Sequence, residues 1–151
     1  MRRYRLMKDM MLGVLVHASQ MAYVEEAAGT HAILEDFTAI FRVLTQEDTL
    51  SALEEELACI ETYLHLQTIR FPGRFDVIHG NNSFDREIVI RSGQLLEFVD
   101  QQLLPHLEDG EKHLQLELGI RDDGGSVYYV LISDEENRVI SQAYLELENA
   151  V

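Results

Sequence analysis

Apolar residues recur at helical spacing through residues 3–26, where Leu6, Met10, Gly13/Val14, His17, Met21 and Val24 form one stripe. Gly29-Thr30 read as a turn. A second helix follows over about 31–44, capped by Thr30, with Ile33, Phe37, Ile40 and Phe41 inward. Ser51-Ala52-Leu53-Glu54 has the form of a capping box, in which serine and glutamate satisfy each other's free backbone amides. It predicts a long helix over 51–70 with Leu53, Leu57, Ile60, Leu64 and, less regularly, Ile69 on one side. Glu54, Glu55, Glu56, Glu61 and Gln67 lie off that stripe, and the four glutamates are expected in solvent. Phe71-Pro72-Gly73 stops that helix, because proline cannot extend it and glycine accepts the positive φ of the exit.

Beyond residue 73 the period changes. Alternation predicts strands over 74–79, 87–90, 112–120 and 127–133, with hairpin-type turns at Asn81-Asn82 and Asp122-Asp123-Gly124-Gly125. A helix from Gly93 to Leu104 is expected to stop at Pro105. From Val139 onward, apolar residues at 140, 144, 147 and 151 favour helix over strand. The order implies an α+β chain: a helical hairpin over 1–48, then a two-layer α/β sandwich over 49–151.

Composition narrows the function classes. A net charge of −15 repels phosphate backbones and argues against nucleic-acid binding. Four of the twelve Lys and Arg (Arg2, Arg3, Arg5, Lys8) crowd the first eight residues. They read as a solvated helix terminus, with contact to anionic lipid as the alternative. A single cysteine, Cys59, excludes an internal disulfide framework. The apolar run Met10 to Val16 is far short of the roughly 20 residues that span a bilayer. His31, His65, His79 and His113 are scattered, so no metal site is expected.

Leu53-Glu54-Glu55-Glu56-Leu57, then Ile60-Glu61, Tyr63-Leu64, Leu66-Gln67, Ile69-Arg70-Phe71 and Gly73-Arg74-Phe75, resemble a signature of the LytS/YesM-type sensor histidine kinases. Upstream, Leu34-Glu35-Asp36-Phe37 with Ile40-Phe41-Arg42 is similar to a second segment of that family, so the resemblance runs from about residue 12 to 134. It implies a hairpin that dimerises, followed by the ATP-binding fold of histidine kinases, gyrase and Hsp90, where a mixed sheet packs on helices. Members usually carry a sensor and membrane helices upstream. The chain is therefore expected to be a cytoplasmic fragment or a free-standing relative.

The resemblance also says where the chemistry should lie. The family's metal box falls on Val99 to Leu107: its histidine is kept as His106, its metal-ligating asparagine is replaced by Gln102, and its base by Gln101. Magnesium demands near-octahedral geometry at short distances, and an amide cannot act as a base. The adenine box falls on Asp134-Glu135-Glu136-Asn137-Arg138, keeping the aspartate and losing both glycines. A second glycine box does not occur before Val151. The phosphoacceptor box falls near Lys8 to Gly13, which holds no histidine; His17 lies two turns later.

The expectation is a two-component signalling module without catalysis that acts by protein–protein contact. It would form a homodimer through residues 1–45, with a response regulator or partner histidine kinase as further partners and no cofactor. The alternatives are an active kinase fragment using ATP and Mg, or a histidine phosphotransferase using His17.

Overall fold

A computed structural model describes residues 2–46, 48–122 and 124–150. Asp123 of the expected turn and Val151 of the tail pattern lie outside these residues. The chain divides into two compact units, Met1–Glu47 and Asp48–Val151.

The first unit is a hairpin of α1 (Arg2–Val24) and α2 (Ala28–Leu44). Its turn falls at Glu25–Ala27, earlier than Gly29-Thr30 suggests. Glu26 takes φ 58°, and the amides of Glu25 and Ala27 bond back to Met21 and Ala22. That closes α1 early enough for Gly29 and Thr30 to enter the first turn of α2, whose N-cap is Ala27 without a side-chain bond. Small residues line the seam: Ser19 and Ala22 are the buried positions of α1, and Thr38 is buried on α2. Below them Lys8 Nζ donates to the Thr45 carbonyl at 3.0 Å.

The sequence stripe of α1 is not the seam. Leu6, Met10, Val14, His17, Met21 and Val24 are all exposed, Met10 by 61% and Val14 by 65%. On α2, Ile40 is buried and Phe41 half-buried, but Ile33 and Phe37 are about 40% exposed rather than inward. Helical spacing finds an apolar face; it does not say which neighbour covers it.

The second unit begins with β1 (Leu50–Ala52) and α3 (Leu53–Arg70), followed by β2 (Phe75–His79), β3 (Val89–Arg91) and α4 (Gln94–Glu108). It ends with β4 (Leu114–Asp122), β5 (Ser126–Ser133) and β6 (Val139–Glu146). β1 and β3 form a two-stranded antiparallel sheet, and the main sheet has the order β2-β4-β5-β6. β2 runs parallel to β4, and the remaining pairs are antiparallel. Its inner face (Leu114, Leu116, Leu118, Ile120, Tyr128, Val130, Ile132) is buried together with Leu53, Ile60 and Leu64 of α3 and Leu95, Leu96, Val99, Leu103 and Leu107 of α4. The outer face carries Tyr129, whose ring lies over Gly119 and whose hydroxyl fills the space that a Cβ at Gly80 would take.

Several local expectations yield to this packing. Ser51 pairs with Ile90 in β1, so α3 starts at Leu53 behind Ala52 and the capping box does not form. The buried positions of α3 are Leu53, Glu56, Ile60, Tyr63, Leu64 and Gln67, which brings Glu56 and Gln67 inside and leaves Ile69 exposed and Leu57 half-buried. Asn81-Asn82 does not turn a hairpin, because β2 pairs with β4; the Asn81 carbonyl instead accepts from Ile120. Helix α4 runs through Pro105 to Glu108. The proline removes one amide near the helix end, where an exposed turn costs least, while Leu103 and Leu107 on either side are buried. The segment from Val139 is strand, since the open side of β5 offers a ladder of backbone bonds that spacing cannot foresee.

Candidate functional site

The residues matching the kinase signature hold α4 in place. The Glu56 carboxylate, 2% exposed, accepts the Gly93 amide at 2.7 Å, where Gly93 takes φ 81° to open α4. Burial raises the pKa of Glu56; the Gly93 and Leu95 amides oppose that, so the anion sits at a helix N-terminus that favours it. Two turns on, the Tyr63 hydroxyl donates to Asp100 at 2.5 Å, and burial followed by Asp100 raises its pKa. Arg74 donates to the Leu107 and His106 carbonyls at 2.8 and 3.3 Å, closing the last turn of α4. Arg70 donates to Gln67 and lies 5.2 Å over the Phe71 ring. Of the matching residues, Glu56, Tyr63 and Arg74 thus reach α4 or its N-cap.

On α4 itself, Gln102 and His106 lie one turn apart and half-buried, while Gln101 is exposed. Asp134 is at the β5–β6 turn. Its Oδ1 accepts the amides of Glu136 and Arg138, both at 2.9 Å, with Asn137 at φ 60° between them and Arg138 paired to Glu136. The carboxylate that would receive an adenine amino group thus folds its own loop. The shallow cleft beside Asp134 is lined by Glu111, Lys112, His113, Glu135, Glu136 and Arg138, a set without Gln102 or His106. His113 bonds the Gly73 carbonyl and Asp76, and both raise its pKa.

In the first unit, His17 is exposed and borders a depression with Asp9, Leu12, Gly13, Val16, Gln20 and Arg42. Asp9 therefore stands where the phosphoacceptor box falls, beside an arginine. The sequence reading passed over Arg42 in this role. It also passed over the adjoining network in which Ser19 Oγ donates to Glu35 at 2.9 Å and His31 Nδ1 donates to the Ser19 carbonyl at 2.9 Å. The spacing of His31 and Glu35, four residues apart on one helix, was the available signal. Burial pushes the Cys59 thiol up to about 11, so it is no nucleophile at neutral pH. Among the described residues there is no group of three or more His, Cys, Asp or Glu able to hold a metal ion, and no helix long and apolar enough to cross a membrane.

No curated protein matches the chain. Residues 4–75 match the family model described as histidine kinase, a span from α1 through α3 to the first residue of β2. Over that span the chain is a histidine-kinase-like module.

Proposed function

We propose that the chain is a LytS/YesM-type signalling module whose ATP-binding half is degenerate, and that it acts by protein–protein contact rather than by phosphoryl transfer. The observation that carries this reading is the engagement of the Asp134 carboxylate by the amides of its own turn. With Gln101 and Gln102 in the metal box and side chains at Glu136 and Arg138 where the family has glycine, metal, phosphate clamp and adenine contact are lost together. A single surviving hydrogen bond contributes about 1–3 kcal/mol, against about 8 kcal/mol for micromolar affinity.

Titration with ATP and magnesium is therefore expected to give no saturable binding at micromolar concentration, and labelled ATP should leave the protein unlabelled. Micromolar binding abolished by Asp134→Asn would restore the kinase reading. The exposure of His17 and its neighbour Arg42 favour one second reading, a histidine phosphotransferase. In the same assay, label passing from a phosphorylated response regulator to the wild-type chain, but not to His17→Gln, would establish it.

A further inference from the structure

Strand β5 sets Tyr128 on the inner face of the main sheet, with none of its surface exposed. The edge of its ring meets Phe98 of α4 at a centroid distance of 6.3 Å. Among the described residues its hydroxyl is one of two buried side-chain atoms without a hydrogen-bond partner. A phenylalanine would fill the same space and leave no polar atom unbonded, whereas a buried hydroxyl without a partner is costly. The oxygen calls for an acceptor.

Tyr128 lines a cleft of about 170 Å³ between α3 and the sheet, with Leu57, Ile60 and Leu118 as apolar walls. Two polar side chains stand on the same cleft, Glu61 of α3 and Asn82 of the loop after β2. Burial raises the pKa of Tyr128 and the Glu61 carboxylate raises it further, which sets the hydroxyl toward the Glu61 side. Glu61 Oε1 bonds His79 Nε2 at 2.6 Å, a bond in which Oε2 takes no part. Beyond β2 the Gly80 amide donates to the Leu118 carbonyl, and the Asn81 carbonyl accepts from Ile120. These bonds carry the chain along β4 as far as the residue before Asn82.

The charge of the cleft selects its ligand. No Lys or Arg lines it, and its one acidic group is Glu61, so it suits a cation and repels a phosphate ester. Its volume, below the roughly 300 Å³ at which drug-sized ligands are held, restricts it to a small molecule. We propose that this cleft binds a short amino alcohol. The ammonium group pairs with Glu61, the hydroxyl accepts from Tyr128 and donates to the Asn82 carboxamide, and the methylenes lie against Leu57, Ile60 and Leu118. Asp134 is six residues further along the chain, about 20 Å away at the rise of a strand, and the cleft beside it shares none of these residues. The amine site is therefore separate from the degenerate nucleotide positions and does not rest on the functional reading above.

Calorimetric titration of the full chain at neutral pH tests the site, with ethanolamine, propylamine and phosphoethanolamine as probes. Ethanolamine should bind saturably with a Kd of about 1 mM or lower. Propylamine keeps the charge and lacks the oxygen, so it should bind about fivefold more weakly. Phosphoethanolamine should give no saturable heat. Tyr128→Phe should reduce ethanolamine to the affinity of propylamine while leaving propylamine unchanged, and Glu61→Gln should weaken both amines. Circular dichroism matching the parent confirms that each variant is folded. No saturable heat from ethanolamine would mean that the cleft takes water only and would overturn the proposal. Equal affinity for ethanolamine and propylamine in the wild type, or unchanged ethanolamine binding by Tyr128→Phe, would overturn it as well.

Discussion

Glu56 shows how far one residue can depart from its sequence reading. It lies in a run of three glutamates and yet is the one buried, because position 56 continues the face of Leu53, Ile60 and Leu64 and its carboxylate meets the open end of α4. Its folded pKa is raised above the ordinary value of 4.5, with burial the largest cause. Its favourable contribution is thus fully present below about pH 4.5 and is lost as pH rises through the folded value. Glu56→Gln keeps an acceptor for Gly93 and removes the buried charge. Urea unfolding should find this variant at least as stable as wild type at pH 7, with a flatter dependence of stability between pH 4.5 and 7. Glu56→Ala leaves the Gly93 amide buried without its acceptor and should cost about 1–3 kcal/mol. Wild type gaining stability relative to Glu56→Gln as pH rises would contradict the raised pKa, and a neutral alanine variant would contradict the capping role.

At the scale of elements, α3 reaches the α4 segment by polar contacts at two points, Glu56–Gly93 and Tyr63–Asp100, and Arg74 of the turn after α3 bonds Leu107 at the far end of α4, around an apolar centre. Leu64 lies in that centre at 3% exposure. Leu64→Ala should lower unfolding free energy by about 2–5 kcal/mol, since the fixed helices cannot collapse onto the void. A loss below 1 kcal/mol in denaturant titration would mean that the α3 face is misassigned. Ile60 and Leu64 were legible from spacing alone. Gln67 was not, because a polar residue on a buried face is recognised only once its partner, Arg70, is in place.

On the scale of the whole molecule, the exposed stripe of α1 is the feature most in need of a partner. Leu6, Met10, Val14, Met21 and Val24 lie side by side on a surface that α2 leaves open, and we propose that a second copy covers it in a four-helix arrangement. Val14→Lys should raise the dissociation constant of that dimer by at least about tenfold in sedimentation, equal to about 1.4 kcal/mol, without loss of helix content. A wild-type chain that remains monomeric at high micromolar concentration would exclude the arrangement.

Periodicity and punctuation in the sequence determined which segments are helical up to residue 104, where β2, β4 and β5 run, and that the chain is α+β. These follow from local spacing and from Pro and Gly, which act over a few residues. The tertiary structure decided what distant segments offer one another. The free side of β5 turned residues 139–146 from helix into strand, and the pairing of β1 with β3 took Ser51 from its helix cap. The open end of α4 drew Glu56 inward, and the tight loop after β5 engaged the Asp134 carboxylate. In each case an unsatisfied backbone group found its partner far along the chain or across a turn, and the energy of that bond outweighs the local preference that sequence spacing records.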